Sequence, residues 1–333
     1  MGKSRSQFLK LAPLFHELVK FNSKFDISLL HTGLKHTSYL TQSFFNDINL
    51  PYPQEHLGIA QGTDTQEMAR TMIAFETVLQ EKKVNLIVIE GDSNIALACA
   101  LTAKKQNIKV SQINSNATNL DNINTKNINS YLTHVLADFS YKQEQMGNPL
   151  ADSIKNIKPF SKKTKFYKAL KLKKQNYIVC TFQNKTLLNT HKQLSKFLNY
   201  LKEISNHFTV LCPLHPNTVN MLYFQEKLSY FNTNGVKAKT LNLIEPVSYA
   251  EMINLIENSR LVISDNKTIN DECNLLKTAY ISCKNPEENK FLDMFYKVAR
   301  NPLNECCIPK NWDGKTGKRI IKDLLIKEKK GQF

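Results

Sequence analysis

Residues Val84–Ala103 read VNLIVIEGDSNIALACALTA. Val84, Leu86, Ile87, Val88 and Ile89 follow one another without polar alternation, the pattern of a parallel strand covered on both faces. The run ends on Gly91 and Asp92 and passes directly into a helix-forming stretch from Asn94 to Lys105. Ligands of open α/β sheets lie beyond the carboxyl ends of such strands, so a carboxylate there, beside a helix N-terminus, faces the crevice. The alternative is that Asp92 or Ser93 only caps the following helix. From this stretch alone the two readings weigh the same.

Outward from this unit, strand and helix signals alternate along the whole chain, as in a doubly wound fold. In the first half the pattern predicts helices over 7–21, 36–46 and 66–80, a strand at 26–31, the strand ending at Glu90, the helix 94–105, a strand at 109–113 and a helix over 128–139. The second half repeats this with strands at 177–181, 209–213, 238–243, 261–264 and 279–282, and a last helix at 316–327. The fold class is therefore α/β, with two Rossmann-like doubly wound domains facing one another across a cleft. Gly147, Asn148 and Pro149 mark the crossing between them. The expected division is 1–150, a basic linker and helix at 151–175, and 176–333, with the last helix free to pack back on the first domain.

The chain has 333 residues, enough for two domains with a core each, and a formal charge of +16. The excess is lysine: Arg5, Arg70, Arg260, Arg300 and Arg319 are the only arginines. Nucleic-acid recognition favours arginine forks interleaved with aromatics, so no nucleic-acid partner is expected. The densest cluster, Lys158–Lys174, reads as a solvated linker and helix. No apolar run approaches the ~20 residues of a membrane span, and the N-terminal stretch has no signal-peptide core; a cytoplasmic protein without membrane contact is expected. Cys99, Cys180 and Cys212 sit in apolar runs as small hydrophobes, and the vicinal Cys306 and Cys307 have no partner pair at zinc spacing. Neither a metal nor a cofactor is expected.

Several strings fall in the order and spacing of one family: KLAPL (Lys10–Leu14), HTG (His31–Gly33), EGD (Glu90–Asp92), GNPLAD (Gly147–Asp152), PLHPNT (Pro213–Thr218), LIEPVSYAEM (Leu243–Met252), SRLVISD (Ser259–Asp265) and WDGKTGKRI (Trp312–Ile320). Together they resemble the non-hydrolysing UDP-N-acetylglucosamine 2-epimerases over nearly the whole chain. The resemblance implies the two-domain glycosyltransferase-B architecture, a UDP-sugar partner and a homodimer. It also implies interconversion of UDP-N-acetylglucosamine and UDP-N-acetylmannosamine by removal of the C2 proton, departure of UDP and return of both with C2 inverted. Such chemistry needs a base, an acid/base on the opposite face, and cations or helix N-termini for the diphosphate.

On this resemblance Asp92 matches the family carboxylate, Arg5 and Lys10 the phosphate-binding residues of the opening loop, His215 the histidine near the diphosphate, and Glu272 the glutamate that holds the ribose. Other positions depart. Where members read HVEAGLR this chain reads QINSNAT, so Asn114 replaces the catalytic glutamate and Thr118 the arginine. An amide takes no proton at neutral pH. Asp121 is the nearby carboxylate available as a substitute, with His36 or His134 as further candidates. Gln183 replaces a histidine, and Lys267 and Thr268 replace two glycines, with Lys267 able to contribute charge. The opening central strand of the family has no counterpart, so the first sheet is expected to lack it. Two readings follow: a working 2-epimerase, or a catalytically impaired UDP-sugar-binding protein on the same scaffold.

For individual residues the bland readings are that His215 bonds the backbone at a strand end, that Asp265 caps the helix after it, and that Glu272 lies on a solvated face.

Overall fold

The computed structural model describes residues 1–34, 42–60, 62–114, 127–183, 187–188, 190–284, 290–300 and 308–333. The chain forms two compact units, Met1–Lys155 with Pro309–Phe333, and Asn156–Ile308. The closing segment, counted within 176–333 from sequence, thus belongs to the first unit.

In the first unit every described strand pairing is parallel. β1 (Leu30–Gly33) pairs with β2 (Glu55–Ile59), while β3 (Leu86–Glu90), β4 (Lys109–Ile113) and β5 (Phe139–Tyr141) form a second group. Met1 and Gly2 lie between the groups. Gly2 N donates to Leu30 O at 3.1 Å, Thr32 N donates to Gly2 O at 3.0 Å, and the Met1 ammonium donates to Val88 O at 3.0 Å. Gly2 and His31 form an isolated parallel bridge. The strand expected at 26–31 begins at Leu30, where pairing with β2 begins, and Leu29 N bonds the Gln54 side chain.

The helices of this unit are α1 (Arg5–Leu18), α2 (Gln42–Asp47), α3 (Asp64–Glu81), α4 (Asn94–Lys105), α5 (Ile128–Leu136), α6 (Gln143–Met146) and the first half of α7 (Pro149–Thr164), which runs on past Lys155 into the second unit. Ser4 and Gln7 form a capping box on α1, satisfying donors that the first turn leaves open. Pro13 inside α1 has no N–H for the Leu9 carbonyl; Ser153 Oγ on α7 donates to that carbonyl instead. The helix expected to run to residue 139 stops at Leu136. Asp138 N donates to Val110 O, Val110 N donates back to Asp138 Oδ2, and Lys104 and Lys109 pair with the carboxylate, which turns the chain into β5.

The C-terminal helix (Thr316–Lys329) packs on α1. A Cβ at Gly317 would lie 2.8 Å from Pro13 O, so only glycine permits this approach. Asp152 receives Thr316 N and Gly317 N at 3.1 and 3.0 Å, capping the helix from α7. The core beneath α3 and α4 holds Phe75, Ile87, Ile89, Cys99 and Val110.

The second unit is a five-stranded parallel sheet. Its order is β10 (Ala279–Ser282), β9 (Leu261–Ser264), β6 (Tyr177–Thr181), β7 (Thr209–Pro213) and β8 (Leu241–Ile244). β6 and β7 are buried at every residue, as expected of central strands with both faces covered. The helices are α8 (Phe166–Ala169), α9 (His191–Ser205), α10 (Pro216–Phe224), α11 (Tyr249–Asn258), α12 (Lys267–Leu276) and α13 (Lys290–Arg300). Phe182 and Phe197, edge to face at 5.3 Å, centre the core between the sheet and α9.

Candidate functional site

In the first unit the carboxyl ends of β3 and β4 lie side by side, with Glu90 in register with Ile113. Gly91 follows at φ +75, a conformation glycine adopts at no steric cost. Ser93, not Asp92, caps α4: its Oγ accepts from Ala96 N at 3.2 Å. Asp92 is half-buried and makes no hydrogen bond or ion pair with another described residue. The capping alternative for Asp92 is thereby removed.

The neighbouring groups are committed to one another. Lys10 Nζ sits 2.7 Å from Glu90 Oε1, with the lysine 14% and the glutamate 6% exposed. Asn114 Nδ2 donates to the same oxygen at 2.8 Å, and Gln7 Nε2 donates to Glu90 O at 3.2 Å. Lys10, expected on phosphate, thus holds a carboxylate here. Asn114 has φ +56, a left-handed conformation in which asparagine is enriched. The Arg5 guanidinium stands 4.9 Å over the Phe44 ring. His134 lies in the last turn of α5. Asp121, His36 and Thr118 fall outside the described residues.

Glu90 escaped the residue-by-residue expectations, although its signal was present. A glutamate closing an otherwise apolar buried strand is rare unless something pairs with it.

In the second unit three strand ends bring together the remaining expected residues. β6 lies between β9 and β7. At the end of β7, His215 caps α10 by accepting Asn217 N at Nδ1, 3.1 Å away, with Pro216 at the first helical position. The backbone bond of the bland reading is present, and it seats the ring at a helix N-terminus, where anions are favoured.

At the end of β9, Asn266 caps α12 through Thr268 N at 2.9 Å. Asp265, expected to be that cap, instead accepts Gln183 N at 2.7 Å and ties the end of β6 to the end of β9. Lys267 opens α12 exposed to solvent. Glu272 is not on a solvated face: it is 3% exposed and receives the Tyr249 hydroxyl at 3.1 Å. Burial pushes the Cys180 and Cys283 thiols well above the usual thiol range and that of Cys99 up to about 12, so these three are inert. Among the described residues no three His, Cys, Asp or Glu side chains gather as a metal site, and no helix is long and apolar enough to cross a membrane.

The profile of the family described as UDP-N-acetylglucosamine 2-epimerase matches residues 17–141 and 144–291. A UDP-N-acetylglucosamine 2-epimerase of Methanococcus maripaludis is 26% identical over 367 residues, covering 98% of this chain and 97% of its own. A UDP-2,3-diacetamido-2,3-dideoxy-D-glucuronate 2-epimerase of Pseudomonas aeruginosa is 25% identical, covering 81% and 78%. The crystal structure of a Methanocaldococcus jannaschii UDP-GlcNAc 2-epimerase in complex with UDP-GlcNAc and UDP superposes with a TM-score of 0.80 at 22% identity, over 97% of each chain.

Proposed function

This chain belongs to the UDP-N-acetylglucosamine 2-epimerase family, and from that premise we propose that it binds a UDP-sugar and acts as a sugar-nucleotide 2-epimerase, on UDP-N-acetylglucosamine and its manno epimer. The observation that carries the reading is Asp92. It stands at the carboxyl end of β3 with its helix already capped by Ser93 and matches the family carboxylate that takes the C2 proton. In the second unit, His215 at the α10 N-terminus and Lys267 at the α12 N-terminus suit the leaving diphosphate, and buried Glu272, oriented by Tyr249, suits the ribose.

Two features favour the second reading, a UDP-sugar-binding protein that no longer inverts C2. Asn114 and Gln183 stand where the family has a glutamate and a histidine. Losing an acid/base group lowers rate by roughly 10² to 10⁴.

Incubation in D₂O with UDP-N-acetylglucosamine, followed by NMR, separates the two. Deuterium at C2 with appearance of the manno epimer supports the enzyme. Exchange without epimer leaves Asp92 acting on one face. Neither signal, with saturable UDP binding in the same sample, leaves the binding protein.

The reading includes a homodimer, supported by the exposed apolar stripe Ile128, Leu132 and Val135 on α5, and sedimentation tests it. A reducing cytoplasm suits the five buried free thiols among the described residues.

A further inference from the structure

The first unit buries a carboxylate at the end of a strand. Glu90 closes β3, is 6% exposed, and sits at the carboxyl end of parallel strands, where ligands bind. Removing an ionised carboxylate from water is costly unless it is paired. Here the pairing is one-sided: Lys10 Nζ and Asn114 Nδ2 both bond Oε1, at 2.7 and 2.8 Å. Oε2 accepts no hydrogen bond from a described residue, and Glu90 lines a small cavity with Gln7, Thr32 and Ser93. Both of these contacts thus fall on one oxygen of the carboxylate. Gly91, at φ +75, breaks the pleat that would otherwise send residues 90 and 92 to the same face.

We infer that Glu90 is the second acid/base carboxylate of the first unit, supplied from β3 beside Asn114, the residue after β4, which has an amide where the family has a glutamate. The inference rests on the epimerase reading. Asp92 takes the C2 proton, the C2–H electron pair becomes the C1=C2 double bond, and UDP departs with the electron pair of the C1–O bond. In the return, the protonated Glu90 delivers its proton to C2 from the opposite face while UDP re-adds at C1. Solvent then resets both carboxyls. Lys10 and the Asn114 amide hold the carboxylate in place by gripping Oε1. They are positioning residues.

The test compares the intact protein with Glu90→Gln, which keeps the shape and the bond to Asn114 but takes no proton. Trp312 fluorescence checks folding of each variant. With active wild-type protein, Glu90→Gln is expected to lose 10²-fold or more in epimer formation at unchanged UDP affinity, and to lose one limb of the pH–rate profile. C2 exchange through Asp92 is expected to persist. The double change Glu90→Gln/Asn114→Asp, which moves the carboxylate across to the residue after β4, is expected to recover at least tenfold. A Glu90→Gln enzyme that epimerises within threefold of wild type with the same pH profile overturns the inference and leaves the epimerase reading standing. Loss of folding in Glu90→Gln with no recovery in the double variant overturns it in favour of a purely structural ion pair. Wild-type protein that binds UDP but neither exchanges nor epimerises overturns the epimerase reading itself, and this inference with it.

Discussion

Replacing Lys10 by methionine isolates what the ion pair at the end of β3 does for the fold. The side chain is of similar length and apolar, so its packing is conserved while Glu90 loses its cation. Lys10 is 14% and Glu90 6% exposed, at 2.7 Å. Removing one partner of a buried pair destabilises by about 3 to 5 kcal/mol. Asn114 still donates to the carboxylate at 2.8 Å, which places the expectation at the lower end, about 3 kcal/mol. Adding Glu90→Gln removes the stranded charge, and the double variant is expected within about 1 kcal/mol of wild type, since replacing both partners is far milder than removing one.

Trp312, the single tryptophan, lies in the segment that belongs to the first unit, so its fluorescence follows this unit during urea unfolding. With a slope of about 2 kcal/mol per molar urea, 3 kcal/mol lowers the midpoint by about 1.5 M. A Lys10→Met midpoint within about 0.3 M of wild type, or a double variant as unstable as the single, would refute the claim that Glu90 is a desolvated charge dependent on Lys10.

Gly147 sits at φ +91 with its missing Cβ 2.0 Å from Asn311 O, so Gly147→Ala is expected to destabilise the first unit by more than about 3 kcal/mol, seen as a Trp312 unfolding midpoint shifted more than that of Lys10→Met. Gly317→Ala, which presses on Pro13 O, is expected to lose about 1 to 3 kcal/mol by the same assay. Burial chiefly, with His56 and Lys3 nearby, holds the His31 imidazole below its ordinary range. The unfolded chain therefore binds more protons, and stability should be full above about pH 6.5 and fall as pH drops toward the folded-state value; His31→Leu should flatten that slope in pH-dependent urea titrations. Asp138 is held below the usual carboxylate range: burial opposes its charge, but Val110 N–H, Lys104 and Lys109 outweigh it. Its contribution should be present above about pH 4 and disappear as pH falls through the folded value, so Asp138→Asn should be less stable than wild type at pH 7 by about 1 kcal/mol and equal to it near pH 2.

The strands over 177–181, 209–213, 261–264 and 279–282, like the helix over 94–105, were legible residue by residue. Each is a buried apolar run or a long periodic one bounded by a cap, so local chemistry and tertiary demand agree. The motif strings were legible in the same way, and with them the family. What the sequence alone could not decide was set by partners distant in the chain. The strand expected at 26–31 begins at Leu30 because its pairing with β2 begins there, at Glu55. The helix over 128–139 ends early because Val110, Lys104 and Lys109 capture Asp138. Asp265 bonds Gln183 rather than its own helix.

The candidate site divides along the same line. That Asp92 is a carboxylate at a strand end follows from its neighbours in sequence. That Lys10 and Asn114 converge on Glu90 depends on α1, β3 and β4 meeting across 80 and 24 residues of chain. Residue types and their spacing fix which groups exist, but a hydrogen bond forms only where the fold brings donor to acceptor, and that distance is written in no local pattern.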